Sequence, residues 1–286
     1  MNSNFEYGLA FSRNIGWLSP GEQAVLRGKR IAIAGMGGVG GFHLLTMARL
    51  GIEKFNIADF DHFELTNFNR QAGAAMSTLG RPKVEALAEQ ARDINPGLDA
   101  RMFLEGINEK NLSAFLTGVD VYVDGLDFFA FEARERVFDY CFRHGIPAVT
   151  VAPLGMSAAL LNFMPGRMSF EDYFQVAGKP DLDKAIRFLV GLAPALLHRH
   201  YLTDPSQVNL AEHRGPSTVI ACQLCAAVAT AEVLKILLKR GRVWSAPHGV
   251  QFDAYRNKVT RTWRPGGNQH PLNRLAIAIA RRQLGI

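Results

Sequence analysis

The stretch of sequence that decides the fold is "KRIAIAGMGGVGG", Lys29–Gly41. Its first half is a short apolar run, which is typical of a buried β-strand. Its second half is rich in glycine, which allows a ligand or another chain segment to approach the backbone closely. Gly35, Gly37 and Gly40 fit the spacing G-x-G-x-x-G, and Asp59 follows at about the distance from which an acidic residue holds a ribose hydroxyl. The stretch therefore predicts a strand, a glycine loop and a bound nucleotide of unspecified kind.

Predicted strands and helices alternate through residues 29–153. "KFNIADFD" is a strand, and "RPKVEALAEQARDINPG" is a helix with Pro82 in its first turn and Gly97 after its end. This alternation predicts an α/β fold with a doubly wound, mostly parallel, Rossmann-like sheet that has helices on both faces. The stretch "VQFDAYRNKVTRTW" adds a few antiparallel strands near the C-terminus.

The whole chain, residues 1–286, is predicted to form a single domain. After Pro153 the alternation stops, and one helix is expected within "DLDKAIRFLVGLAPALLHRH". The predicted segments are a helical lead-in (1–28), a nucleotide-binding core (29–153), an excursion over the substrate face (154–215), and a closing helix, strands and basic tail helix (216–286).

Composition is that of a globular protein, with 48% hydrophobic and 20% charged residues. No apolar run reads as a membrane span and no secretory signal begins the chain, so a cytoplasmic location is expected. The net charge of +6 is concentrated in residues 235–286, which contain eleven Lys or Arg and one acidic residue, Asp253. Such a segment could face RNA, another acidic partner or a membrane surface, or it could be a solvated face.

The three cysteines are predicted to be structural. Cys222 and Cys225 form a lone C-x-x-C on an apolar helical stretch, and Cys141 falls in the middle of another predicted helix. A structural zinc site needs four ligands, and the sequence has no second C-x-x-C or nearby histidine pair to complete one. We therefore expect buried thiols, no disulfide framework and no zinc.

Acidic residues follow two predicted strands at the point where each strand ends. Asp59 and Asp61 follow the second strand, and Asp124 and Asp127 follow the fourth. Ligands of open parallel sheets bind outside the carboxyl ends of the strands. These carboxylates are therefore expected to face the same crevice as the glycine loop.

The kind of nucleotide is indicated by the segment "DFDHFELTNFNRQ", Asp59–Gln71, and by Lys83 in "GRPKVE". The segment brings Asn67, Arg70 and Gln71 to the crevice. Arg and Lys neutralise phosphate oxygens, and a carboxylate such as Asp127 can hold Mg²⁺ together with phosphate oxygens. These groups favour a triphosphate over a nicotinamide. The sequence K-[ST] of a Walker P-loop is absent, because Gly41 and Phe42 stand there.

With these motifs the chain resembles the ThiF/MoeB superfamily, the bacterial relatives of ubiquitin-activating enzymes. The resemblance rests on "GMGGVGG" as a G-x-G-G-x-G loop that includes Gly38, on the D-x-D…N-x-x-R-Q pattern of 59–71, on the lysine motif, and on "VDGLD". It is strong over residues 11–153. The helix at 216–240 and the strand "VQFDAY" also look like elements of that family.

The resemblance implies roles for individual residues. Asp59 would bind the ribose of ATP, Asn67, Arg70 and Lys83 would hold its phosphates, and Asp127 would hold Mg²⁺. "SRNIG" is similar to a family element that crosses to the partner subunit of a homodimer, although Asn14 stands in place of the usual Gln. Arg13 would then reach the γ-phosphate in the partner's site.

The reaction implied by the resemblance is attack of a carboxylate on the α-phosphate of ATP, which gives an acyl adenylate and pyrophosphate. The substrate could be the C-terminal glycine of a ubiquitin-like or sulfur-carrier protein. The chain departs from many relatives because it lacks the zinc cysteines, has no cysteine in 154–215 and has Phe128 after Asp127. We therefore expect adenylation without an enzyme thioester.

Three other functions stay open from the sequence. An ATP-dependent dehydratase or cyclase would let the adenylate be attacked internally, on a modified tRNA nucleoside or a peptide, and the basic segment 235–286 favours RNA. An NAD(P)- or FAD-dependent oxidoreductase is disfavoured by Arg70, Lys83 and Asp127. A non-catalytic nucleotide-binding scaffold is disfavoured because the arginine and the lysine are both present.

Overall fold

The computed structural model describes residues 5–210 and 212–284. Within these residues the first five strands lie parallel, each separated from the next by at least one helix or helical turn. They are β1 (Arg30–Ala34), β2 (Lys54–Ala58), β3 (Asp99–Phe103), β4 (Val121–Asp124) and β5 (Ala148–Leu154). The alternating pattern of residues 29–153 therefore predicted these strands correctly.

Three antiparallel strands complete the sheet in the described part of the chain: β6 (Ser157–Phe163), β7 (His248–Asp253) and β8 (Lys258–Trp263). The strand order is β3-β2-β1-β4-β5-β6-β7-β8. The sheet is thus mostly parallel with antiparallel C-terminal strands, and the predicted fold class is confirmed. Since β1 and β4 are neighbours but β2 and β3 lie on the far side of β1, the order reverses beside β1, where ligands of such sheets bind.

Ten α-helices are present in the described residues. They are α1 (Tyr7–Ala10), α2 (Pro20–Gly28), α3 (Gly40–Arg49), α4 (Lys83–Ile94), α5 (Leu112–Leu116), α6 (Phe131–Arg143), α7 (Phe170–Phe174), α8 (Asp181–Leu192), α9 (Val219–Leu238) and α10 (Pro271–Leu284). One face of the sheet packs against α3, α4 and α9, and the other packs against α5 to α8. Both faces are therefore covered, as parallel strands require.

Helix α9 has the length and composition of a membrane span, with a mean hydropathy of 1.8, although the sequence was expected to contain no such span. The helix packs along β5 and β6 and against α3. An apolar helix in the core of a globular protein has the same composition. Its contacts with the sheet therefore favour a core helix.

The excursion differs in part from its prediction. The helix expected within residues 181–200 ends at Leu192, and a 3₁₀ turn, Leu197–Tyr201, follows. Ala193 leaves the helical conformation because it precedes Pro194, whose ring disfavours an α conformation at the preceding residue. Helix α7 was not predicted, because its five residues are too few to show a helical period.

Candidate functional site

The glycine loop after β1 is held by contacts between backbone segments. A Cβ on Gly40 would overlap the carbonyl oxygen of Gly35, and a Cβ on Gly35 would overlap that of Gly125, which follows β4. Gly35 also has a φ of 85°, a conformation that L side chains rarely adopt. The three glycines therefore fix the path of the loop between β1 and β4.

The surroundings of Gly37 and Gly38 are less crowded than those of Gly35 and Gly40. A Cβ on Gly37 would lie 3.7 Å from Nε2 of Gln71, and one on Gly38 would lie 3.2 Å from the Sγ atom of Cys222. Helix α3 begins directly after them, at Gly40. Unpaired backbone N–H groups at a helix N-terminus favour an anion, so the loop and α3 together form a cradle suited to phosphate.

Asp59 joins the end of β2 to this loop. Its Oδ2 accepts a hydrogen bond from the backbone N–H of Met36 at 2.6 Å, and its Oδ1 accepts one from that of Asp61 at 2.8 Å. Desolvation raises the pKa of this carboxyl, while the two backbone hydrogen bonds oppose the rise. The structure thus brings the predicted ribose-binding residue to the loop.

Lys83 is a buried cation at the same end of the sheet. It is the first residue of α4, and its Nζ lies 3.0 Å from Oδ2 of Asp61. The Lys83 backbone N–H also donates to the carbonyl oxygen of Asp61 at 3.0 Å. Asp61 is half exposed, so a buried ammonium group and an accessible carboxylate stand together beside the loop.

The segment between β2 and α4 brings the other predicted residues to this region. Asn67 is buried, and its Oδ1 accepts from the backbone N–H of Glu64 at 3.0 Å. Arg70 donates from Nη1 to the carbonyl oxygen of Thr66 at 2.7 Å. Gln71 is also buried, and its Oε1 has no hydrogen-bond partner within the described residues. The side chain of Arg70 is therefore held in place by its own segment. The side chain of Gln71 faces the glycine loop, and its Oε1 remains able to accept a hydrogen bond.

The two carboxylates at and just after the end of β4 have different surroundings, which corrects the expectation that both face the crevice. Asp124 is buried and accepts from Nε of Arg134 and from Oγ1 of Thr150, each at 2.9 Å. Asp127 is exposed, and its Oδ1 accepts from the backbone N–H of Phe129 at 3.0 Å. Asp124 is therefore a structural residue. Arg134, which the sequence analysis missed, holds the turn by donating to the carbonyl oxygens of 126–128.

Asp127 fits a magnesium ion only as one ligand among several. In the described ranges 5–210 and 212–284, no three His, Cys, Asp or Glu side chains are grouped closely enough to hold a metal ion. Mg²⁺ needs few protein carboxylates when phosphate oxygens and water supply its other ligands. An ion at Asp127 would therefore be shared with a bound triphosphate.

Arg13 is not brought to the glycine loop of its own chain. It is exposed in a 3₁₀ turn, and the neighbouring Asn14 donates from Nδ2 to the carbonyl oxygen of Leu50 at 3.1 Å. Leu50 caps the C-terminus of α3, whereas the loop lies at the N-terminus. The ten residues of α3 span about 15 Å. Arg13 therefore lies near the opposite end of α3 from the glycine loop.

The chain around the junction of the excursion and the closing segment, residues 213–218, also contacts the site, which the sequence analysis did not predict in detail. Asn69 donates from Nδ2 to the carbonyl oxygen of Ser217 at 3.1 Å, and Thr218 donates from Oγ1 to that of Gly155 at 2.9 Å. The ring of His213 stacks on Phe129, two residues from Asp127, with centroids 4.3 Å apart. This segment therefore forms a wall beside the loop.

All three cysteines are buried, as predicted, and none is in a disulfide. Burial raises the pKa of the thiols of Cys141, Cys222 and Cys225 above the ordinary value. The thiolate is the nucleophilic form of cysteine. These thiols are therefore poorly suited to accept an acyl group.

The fold is that of a Rossmann-like α/β protein, with a glycine loop at the point where the strand order of the sheet reverses. The family model "ThiF family" matches residues 11–274, and the chain belongs to this family. The resemblance noted from the motifs is thereby confirmed.

Named relatives include enzymes with different substrates. The chain is 32% identical over 138 residues to a tRNA threonylcarbamoyladenosine dehydratase of Haemophilus influenzae, covering 48% of this chain and 52% of the relative. It is 28% identical over 141 residues to the molybdopterin-synthase adenylyltransferase of Escherichia coli, covering 49% and 56%. The chain thus spans about half the length of these relatives.

Solved structures agree on the fold. Escherichia coli MccB in complex with AMPCPP and MccA matches with a TM-score of 0.67 at 20% sequence identity, covering 92% of this chain and 72% of MccB. At this identity the similarity concerns the fold alone.

Proposed function

We propose that this protein is an ATP-dependent adenylyltransferase that activates a carboxylate. The carboxylate oxygen attacks the α-phosphorus of ATP, the bond to the bridging oxygen breaks, and pyrophosphate leaves. The observation that supports this most directly is the buried ammonium of Lys83 beside a glycine loop and an acidic residue at the end of β2. A buried cation suits phosphate oxygens and would not suit a nicotinamide ring, which carries no negative charge in either redox state.

The side chains of the site would act by positioning and by neutralising charge. Asp59 would bind the ribose, while Gly37, Gly38 and the N-terminus of α3 would surround the phosphates. Asn67, Arg70, Gln71 and Lys83 would contact phosphate oxygens, with Asp61 holding the lysine in place before ATP binds. A magnesium ion held by Asp127 would neutralise charge on the departing pyrophosphate.

The acyl adenylate would then react without an enzyme thioester, because the three thiols are buried and have raised pKa values. We infer that the substrate is a modified tRNA nucleoside with a carboxylate and a neighbouring carbamoyl group. The carbamoyl oxygen would attack the activated carbonyl carbon, AMP would leave, and a carbamoyl proton would pass to solvent. The product has lost one water, as the name of the dehydratase relatives implies.

A second candidate substrate is the C-terminal carboxylate of a ubiquitin-like protein, a sulfur-carrier protein or a peptide. The name of the molybdopterin-synthase adenylyltransferase relative supports this interpretation. The basic residues 235–286 favour RNA over these substrates, because a phosphate backbone is a strongly acidic partner.

We also propose a cytoplasmic homodimer in which Arg13 contacts the γ-phosphate in the partner's site. Arg13 lies far from its own glycine loop, and large apolar side chains are exposed close to it in sequence. Leu9 is 70% and Trp17 is 86% exposed. Apolar side chains exposed in a monomer are often buried at an interface.

The experiment that tests the function is ATP–pyrophosphate exchange with a panel of acceptors. The panel contains tRNA bearing threonylcarbamoyladenosine, a ubiquitin-like protein and a peptide. Exchange with the tRNA, together with loss of one water from the nucleoside by mass spectrometry, is expected. Exchange with the protein or peptide alone would favour the second candidate. A purified protein that retains the absorbance of a bound flavin or nicotinamide would instead indicate an oxidoreductase.

A further inference from the structure

A row of aromatic rings lies at the start of β7 and the end of β8, outside the nucleotide site. His248 and Trp263 are directly opposed across the two strands, with ring centroids 6.3 Å apart and planes at 27°. The ring of Trp244 lies 5.0 Å from that of His248. Trp263 is 60% exposed, whereas Trp244 and His248 are half-buried, so the row is accessible to solvent mainly at the Trp263 ring.

Arginine side chains surround the row. The guanidinium carbon of Arg242 lies 3.5 Å from the centroid of the Trp244 ring, and that of Arg261 lies 5.1 Å from it. Arg167 lines an open cavity of about 470 Å³ that Arg242, Trp244 and His248 also border. We call Arg242, Trp244, His248, Arg261 and Trp263 the aromatic–arginine platform.

The charge of this region is unbalanced. Not all eleven basic residues of 235–286 lie here, since Arg240 pairs with Glu22 and Arg281 pairs with Asp183. Arg242 and Arg261 form no ion pair within the described residues. The one acidic residue of 235–286, Asp253, is buried at the other end of β7. Glu232, near the end of α9, is buried and pairs with Lys235. The platform is therefore complementary to a ligand that carries negative charge along its length.

The platform lies at the opposite end of the sheet from the glycine loop. β6 runs from Ser157, beside the end of β5, back to Phe163, and β7 starts again at that far end. A strand of seven residues spans about 20 Å. The platform is thus separate from the nucleotide site and would contact a different part of a large ligand.

We propose that the aromatic–arginine platform binds an unpaired segment of RNA. Bases would stack on Trp263 and His248, while Arg167, Arg242 and Arg261 would contact phosphate oxygens. The exposed aromatic faces favour RNA over an acidic peptide, which offers negative charge but no planar rings that alternate with it. This inference rests on the proposed function, for which it supplies a second contact with the RNA substrate, remote from the reacting nucleoside.

The test compares binding of a fluorescein-labelled single-stranded RNA and of a blunt duplex of the same sequence, by fluorescence anisotropy with the full chain. We expect Trp263→Ala to weaken binding of the single strand about tenfold and to change duplex binding much less, because only unpaired bases stack on the ring. Trp263→Phe, which keeps an aromatic face, is expected to restore most of the affinity. The double variant Arg242→Ala/Arg261→Ala should make the plot of log affinity against log salt concentration less steep, by an amount that corresponds to the loss of about two phosphate contacts.

Matched controls lie on the same hairpin, since Tyr255 and Arg256 are exposed at its other end. Tyr255→Ala and Arg256→Ala are expected to bind like the wild type. The proposal is overturned if Trp263→Ala binds like the wild type, if the controls weaken binding equally, or if a polyglutamate peptide binds as tightly with the same dependence on Trp263. ATP–pyrophosphate exchange by the same protein preparations, with tRNA bearing threonylcarbamoyladenosine as the acceptor, separates the two ideas. Absent exchange contradicts the proposed function, whereas binding that is indifferent to Trp263 contradicts only the platform.

Discussion

The Nζ atom of Lys83 lies 3.0 Å from Oδ2 of Asp61, and the two side chains differ sharply in exposure, at 6% and 52%. The carboxylate therefore holds a buried ammonium group at the edge of the nucleotide site. Under the proposed function, a phosphate of ATP would share this cation with Asp61. The pair explains how the lysine side chain is kept oriented without ATP.

Removing this cation should abolish most of the activity. We expect Lys83→Ala to lower ATP–pyrophosphate exchange by at least about a hundredfold, the scale of losing a group that stabilises developing charge. Asp61→Asn should have a smaller effect, about tenfold, because the lysine remains but is less well oriented. Lys54→Ala, at the exposed start of β2, is the matched control. Exchange by Lys83→Ala at the wild-type rate would refute the assignment of the site.

Replacing Asp124, the last residue of β4, should lower stability, whereas replacing Asp127, three residues later, should lower activity. Asp124→Asn weakens a fully buried ion pair with Arg134, and breaking such pairs costs about 3–5 kcal/mol of unfolding free energy. Asp127→Asn changes an exposed side chain and should unfold like the wild type, while its exchange falls about a hundredfold and recovers in part at high Mg²⁺. Urea unfolding and exchange assays test both. The opposite pattern, with Asp127→Asn unstable and Asp124→Asn inactive but stable, would contradict this reading.

The glycines of the loop should differ in their tolerance of a methyl group. Gly40→Ala would drive Cβ into the backbone oxygen of Gly35, so we expect a loss of about 4 kcal/mol or more, or no folded protein. Gly38→Ala meets only the Sγ atom of Cys222, at 3.2 Å, and should cost about 1 kcal/mol. Adding Cys222→Ala should recover that loss. Urea unfolding of the three variants measures these differences, and equal instability of Gly38→Ala and Gly40→Ala would count against the described loop.

Local patterns predicted the fold well because each strand and helix of the core shows its own period and its own ends. Pro82 and Gly97 enclose α4, and the apolar run of β1 ends at Gly35. The sequence could not distinguish Asp124 from Asp127, since the partner of Asp124 lies on α6 and meets it only after that helix packs on the sheet. The contact between Gly38 and Cys222 likewise joins distant parts of the chain.

A buried histidine should make the protein sensitive to acid. His43 on α3 is fully buried, neither ring nitrogen has a partner within the described residues, and desolvation lowers its pKa to about 3. The unfolded chain keeps a histidine pKa near 6.5, so below that pH the unfolded state binds a proton that the folded state excludes. This contribution to stability is complete above about pH 6.5 and is lost as the pH falls toward about 3, by up to about 1.4 kcal/mol per pH unit.

Replacing this imidazole should remove that part of the pH dependence. Between about pH 6 and pH 5, the unfolding free energy of His43→Leu is expected to fall by about 1 kcal/mol less than that of the wild type. Urea unfolding at each pH gives the two values. His200→Leu, which changes an exposed histidine, is the control and should follow the wild type. If the unfolding free energies of His43→Leu and the wild type change equally with pH, the folded protein does not keep His43 unprotonated in this pH range.

The position of Arg13 at the far end of α3 leads to a complementation test of the proposed homodimer. Arg13→Ala and Lys83→Ala are each expected to lose exchange activity when expressed alone. When the two are co-expressed, each mixed dimer has one intact site of two, so the isolated mixed dimers should show about half of wild-type activity. Two affinity tags isolate the mixed dimers, and exchange is measured on them. Mixed dimers without activity, or an Arg13→Ala protein that is active alone, would mean that Arg13 does not act in the partner's site.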